Sequence, residues 1–117
     1  MEENKIISIK KLDNIRKEIL NSNFQDFPKK IDLLESAYQI SLNAPLRIIT
    51  RPDGIKFDNG YEREHTLSMF RHDIEYIKTM KSDEFKFWQF QTVATIVMLM
   101  NSISDGGLYE IEQILKQ

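Results

Sequence analysis

Two short clusters in this chain have the residue types and spacing of reaction chemistry. Glu62 and His65 form a Glu-x-x-His pattern, which on a helix sets a carboxylate and an imidazole one turn apart, the spacing by which di-iron helical bundles chelate metal. Such a centre needs a second Glu-x-x-His pair and two more inward glutamates. Met69, not a glutamate, stands three residues before His72, the only other histidine. The adjacent His72-Asp73 has the form of a phosphohydrolase metal pair, but those sites draw on further histidines and aspartates from other helices. His65 and His72 lie seven residues apart, about two helical turns or ~10 Å, too far to share one ion. The pattern therefore reads as a solvated, charged helix face, with no catalytic residue, metal or cofactor assigned.

Composition narrows the remaining classes. The 117 residues include no cysteine, which excludes a disulfide framework, thiolate metal sites and cysteine catalysis, and suits a reducing cytoplasm. The formal net charge is -2 with 29% charged residues, so no global field draws nucleic acid or an anionic membrane. Isoleucine, lysine and asparagine are plentiful while alanine and arginine are scarce, a bias expected of an AT-rich bacterium or of a phage that infects one. The segment Met1 to Lys11 opens on acids and lacks a continuous apolar stretch ending in small residues, so no secretory signal is expected.

The elements that must position any site follow from apolar spacing. Leu12, Ile15, Ile19 and Leu20 predict a first helix ending at Asn21-Ser22-Asn23, with Ile6 to Ile9 as either a strand or an added first turn. Asp26 ahead of Phe27-Pro28 starts a second helix whose stripe is Ile31, Leu34, Tyr38 and Leu42, stopped by Asn43-Ala44-Pro45. Leu46 to Thr50 and Ile55 to Phe57, joined by Arg51-Pro52-Asp53-Gly54, predict a small β-hairpin. With the turn Asp58-Asn59-Gly60 it makes a connection of about fifteen residues, long for a compact bundle. Leu67, Phe70, Ile74, Ile77 and Met80 mark the third helix, from Tyr61 to Met80.

Residues Phe85 to Ile103 hold the only tryptophan and the apolar run Val93 to Met100. That run is about half of the ~20 residues a bilayer span needs, and Gln89, Gln91, Thr92 and Asn101 interrupt the segment, so a core helix is expected and no membrane partner. Ser82, with Asp83 and Glu84, is expected to cap it, and Asp105-Gly106-Gly107 to end it. Leu108, Ile111 and Leu115 predict a short last helix. The fold class is mainly α: a single helical domain, 1–117, forming a compact bundle of about five helices around the central apolar helix 85–103, with a small β-hairpin between helices 2 and 3.

Three surfaces compete for function. The stretch Met98 to Gln117 has the outline of a helix-turn-helix, but its second helix would carry Glu110 and Glu112 toward phosphate. A denser basic set, Lys10, Lys11, Arg16, Lys17, Lys29 and Lys30, offers phosphate contacts if the first two helices align, diluted by Asp13, Glu18, Asp26 and Asp32. The hairpin region gathers Arg47, Arg51, Asp53, Lys56, Asp58, Tyr61 and Arg63, the mix of arginine, tyrosine and acid that marks protein contacts. Phe24, Phe27, Phe57, Tyr61, Tyr76, Phe87 and Tyr109 exceed what one small core accommodates, which points to a contact patch or a homodimer surface. The expectation is a cytoplasmic, non-enzymatic protein-binding regulator of inhibitor, immunity or adaptor type, with a nucleic-acid-binding regulator as the alternative.

Overall fold

The computed structural model describes residues 2–117. Helices α1 (Glu2–Leu20), α2 (Phe27–Asn43), α3 (Gly60–Ile77) and α4 (Phe85–Ile103) run up and down in succession, and α5 (Gly107–Leu115) closes one end. Each long helix packs on the next and α4 returns to α1, so the four form a closed antiparallel ring. Between α2 and α3 stand β1 (Ile48–Thr50) and β2 (Lys56–Asp58), an antiparallel pair. Ile6 to Ile9 belong to α1, since burial of Ile9 and Leu12 continues one helical stripe toward the first turns. Asp26 makes no side-chain cap to α2; instead the Asn23 side chain accepts from the Asp26 amide at 2.9 Å. Ser82 likewise does not cap α4, because the single 3-10 turn Ser82–Glu84 intervenes and the Glu84 carboxylate takes the Lys81 amide.

One apolar core draws on all five helices, with Ile9, Leu12, Ile19, Phe27, Leu34, Phe70, Ile74, Ile96, Leu99 and Ile103 almost fully enclosed. Phe27 meets Phe85 edge to face at 5.2 Å, and Phe24 adds a second such contact. In α2 the buried line is Leu34, Ala37 and Ser41, not the expected line through Tyr38 and Leu42. Leu42 is turned outward, beside Leu46. In α5 the buried pair is Ile111 and Ile114, and Leu108 lies open.

Helix α4 packs against each of the other four helices, as its composition demands. It is not ringed completely, however. Phe87, Phe90, Ala94 and Met98 face outward along one stripe, because a ring of four leaves every helix an outer side. Trp88 sits half-buried at the margin, stacked on Tyr76 at 5.5 Å, rather than in the centre.

Helix ends need partners for their last carbonyls, and here buried side chains supply them. The Gln89 amide donates to the carbonyls of Ile19, Leu20 and Ser22 at 3.0 to 3.1 Å, closing α1. Arg63, only 3% exposed, does the same for two helices at the other end. Its guanidinium donates to the carbonyls of Ser41, Ala44 and Pro45 at the end of α2 and to the Ser102 carbonyl and hydroxyl at the end of α4. Burial pulls its pKa below the ordinary arginine value, yet guanidinium stays cationic in proteins, and two helix C-termini present the negative dipole ends that favour it. At the same end Lys5 reaches Asp105 at 2.7 Å and Glu110 at 3.2 Å, fixing α5 to α1.

Arg63→Met leaves several buried carbonyls without donors, each costing ~1–3 kcal/mol. The expected loss is about 3 kcal/mol or more of unfolding free energy in urea titration. Arg63→Lys is expected to recover little of it, because one ammonium cannot span both helix ends.

Candidate protein-interaction surface

The hairpin is shaped by its turn. Arg51 accepts from the Gly54 amide at 2.9 Å and donates its own amide to Ile55 at 2.8 Å, with Gly54 at φ 88°, a left-handed conformation that glycine adopts without strain. The Asp53 carboxylate takes the Ile55 amide and pairs with Arg51 at 3.0 Å, so both charged residues are spent within the turn. The register sets Ile49 opposite Phe57 and Thr50 opposite Lys56. Ile49 and Phe57 therefore share one face, and Ile48, Thr50 and Lys56 share the other.

Asn59 fixes this ribbon to the bundle. Its side chain accepts from the Arg47 amide at 2.8 Å and donates to the Ser102 carbonyl at 2.7 Å, and its backbone amide donates to Arg47. Beyond that base, little of the ribbon is covered. Ile48, Ile55 and Phe57 are each about half exposed, and Tyr61, in the first turn of α3, is 89% exposed. A two-stranded ribbon gains little from its own pairing in water, and each strand keeps an outer edge with unpaired backbone groups.

The residues singled out from sequence divide into three kinds. Tyr61 and Lys56 are exposed and make no side-chain hydrogen bond or ion pair in the described structure, and Arg47 approaches Glu62 only at 4.0 Å. Arg51, Asp53 and Asp58 are local fasteners, with the Asp58 carboxylate accepting the Gly60 amide at the start of α3. Arg63 is a correction: it lies inside, consumed by helix-end carbonyls, and cannot meet a partner. The missed contributors are Leu42, Leu46, Ile48 and Ile55, whose alternation resembles ordinary half-buried strand and helix packing; Phe57, one of the surplus aromatics, is exposed beside them.

Two grooves flank the hairpin base, with Leu46 in the wall of both. One, about 690 Å³, runs between α2 and α3 over Tyr38, Leu42, Leu46 and Leu67. Its rim is held by Arg71, which grips Glu35 through two bonds of 2.8 Å and lies 4.3 Å over the Tyr38 ring. The hydrogen bonds from Arg71 hold the Glu35 carboxyl below its ordinary range, outweighing partial burial. The other, about 520 Å³, lies between the Ile48 face of the ribbon, Lys5 and Ile103.

The remaining candidates do not converge. His65 and His72 are exposed on α3 beside a shallow depression shared with Ser68, Met69 and Asp73, and among the described residues no three His, Cys, Asp or Glu side chains are placed to hold a metal ion. No described helix is long and apolar enough to cross a membrane. Of the basic set, Arg16 and Lys17 are paired with Asp13 and Lys30 with Glu18, leaving Lys10, Lys11 and Lys29 without such pairs among the described residues. Compared with protein-family models, curated proteins and solved structures, the chain matches none.

Asp73 is buried, and its Oδ2 is the one buried side-chain polar atom without a hydrogen-bond partner among the described residues. Burial raises its pKa, against a hydrogen bond from Gln91 and the proximity of His72. A carboxyl whose folded pKa exceeds its unfolded value stabilises the fold only while protonated. Its contribution is present below the unfolded value and is lost as pH climbs through the raised one. Asp73→Asn is expected to be more stable than wild type at pH 7 by about 1 kcal/mol. In thermal melts the difference should shrink toward zero as pH falls through the carboxylate range; a gain independent of pH would show that the charge is not responsible.

Proposed function

We propose that this chain is a non-enzymatic regulator that acts by stoichiometric occupation of a partner protein's surface, with the hairpin and its flanking grooves as the contact. The observation that carries this reading is the ribbon itself. Ile48, Ile55 and Phe57 are displayed on a short, edge-open hairpin fixed rigidly at its base by Asn59. Leu42, Leu46 and Tyr61 extend the apolar surface onto α2 and α3. Exposed aromatic and aliphatic anchors beside a groove are what binding hot spots require. A rigid base lowers the ordering cost of binding, and free strand edges add backbone hydrogen bonding to the repertoire. Of the types that fit, an inhibitor, an immunity protein or an adaptor, all work through such a surface and need no chemistry of their own. Residue usage favours a bacterial or phage source and a cytoplasmic setting.

The test is affinity capture with tagged protein from bacterial lysate, followed by titration of the captured protein. Wild type should saturate at one partner per chain, and a Phe57→Asp, Tyr61→Ala variant should lose at least about tenfold in affinity, the equivalent of ~1.4 kcal/mol, with unchanged circular dichroism. Equal capture by the variant overturns the hairpin assignment. Retention on nucleic acid with a steep loss as salt rises would favour phosphate contacts instead.

A further inference from the structure

The outer sides of α1, α2 and α3 carry charge, as the solvated face of a bundle helix should: Lys11 and Lys17, Lys29 and Asp32, Glu62 and Glu75 are all exposed. The outer side of α4 carries one charge, the exposed Lys86 in its first turn. From Phe87 through Ser104 there is no ionisable residue at all, and the residues turned to solvent are apolar. Phe87 is 64% and Phe90 65% exposed, Ala94 is exposed, Val97 is partly so, and Met98 is about half exposed. Asn101 ends the stripe, and the start of α5 lies against it: a Cβ added at Gly107 would sit 3.5 Å from its side-chain oxygen. The exposed Leu108 then extends the surface beyond the end of α4.

We infer that this stripe is where a second copy of the chain packs, with the two α4 helices antiparallel and crossing at Ala94. Three features select a second copy over an unrelated partner. The size pattern is symmetric about Ala94, with large side chains to either side and the smallest at the centre, where two helix backbones must come closest. A two-fold axis through Ala94 sets residue 94+k against 94−k of the other copy. Phe90 then meets Met98, a sulfur–aromatic contact, Gln91 meets Val97, and Phe87 lies over Asn101 beside Leu108. The absence of charge also suits self-association, since any ionised group near the axis would meet its own copy. The area suffices as well. At roughly 150–250 Å² per aromatic side chain, the exposed parts of Phe87 and Phe90 contribute about 250 Å². With Ala94, Val97, Met98, Leu108 and Tyr76 the face reaches roughly 600 Å² per copy, the lower bound of a stable interface.

The test is the mass in solution, by light scattering at about 100 µM, above the micromolar constants typical of weak interfaces. Wild type should show twice 13.9 kDa. Phe90→Lys and Met98→Glu should each weaken association by about a hundredfold, through burial of unpaired charge, and run as single chains. Both sites are exposed in the single chain, so melting temperature and circular dichroism should hold, which separates lost association from lost folding. An equimolar mixture of the two variants should regain the doubled mass, because the ammonium introduced in one copy then faces the carboxylate introduced in the other. A wild type that remains a single chain, or variants that stay dimeric, overturns the proposal. A dimeric wild type whose variants fail to recombine overturns the antiparallel arrangement. The Phe57→Asp, Tyr61→Ala variant should remain dimeric, so this surface and the hairpin contact stand or fall separately.

Discussion

The arrangement depends on one cation enclosed without a counter-carboxylate. Arg63 gathers the ends of α2 and α4 through five hydrogen bonds to carbonyl and hydroxyl oxygens. Helix C-termini are costly to bury because their carbonyls lack donors, and a guanidinium, with five N–H groups in a planar fork, is the side chain best able to serve two such ends together. Asn59, four residues earlier, adds a bond to the same Ser102 carbonyl and holds the hairpin's base. The position of the hairpin thus follows from how two helices terminate.

Much of this was legible in the chain. The bounds of α4 coincide with the apolar segment 85–103, because a run that long and that rich in apolar residues exceeds a strand and supplies a helix able to pack on every other. The hairpin was legible from Arg51-Pro52-Asp53-Gly54, whose proline and glycine suit only that turn. The fate of Arg63 was not. In sequence it stands among Glu62, Glu64 and His65 and looks like one more solvated charge; its burial is dictated by distant carbonyls at positions 41, 44, 45 and 102. The stripe of α2 was misplaced for a related reason, since Ser41 is buried where its hydroxyl bonds back to Ala37, while the more apolar Leu42 turns out to a groove. A helix apolar on most sides, whose few polar residues Gln89, Thr92 and Thr95 are themselves buried, likewise misleads about its inner and outer sides, so the open stripe of α4 emerged only with the packing.

Several buried polar side chains act as fasteners between elements of the bundle. Gln89 ties to α1, Arg63 to α2 and α4, and Asn59 to the hairpin, while Ser41, Thr66, Thr92 and Thr95 bond back within their own helices. The grooves set leucine and isoleucine beside charged residues, Arg63, Glu64 and Arg71 in one and Lys5, Lys56 and Asp105 in the other, and Arg71 is already held by Glu35. The uncovered apolar side chains are densest in two regions, a ribbon at one end and a flank along α4, with Ile7, Leu20, Met69, Tyr109 and Leu115 exposed elsewhere.

The bridge from Lys5 to Asp105 spans 100 residues. On the ribosome, α1 emerges before α5, and the Lys5 ammonium waits for its carboxylate until 100 further residues have followed. Closing so long a loop carries an entropic cost that grows only slowly with length, so the delay is one of order rather than of stability. The seal between α1 and α5 forms only once Asp105 and Glu110 have been made, and a nascent chain halted before Asp105 keeps α1 unlatched.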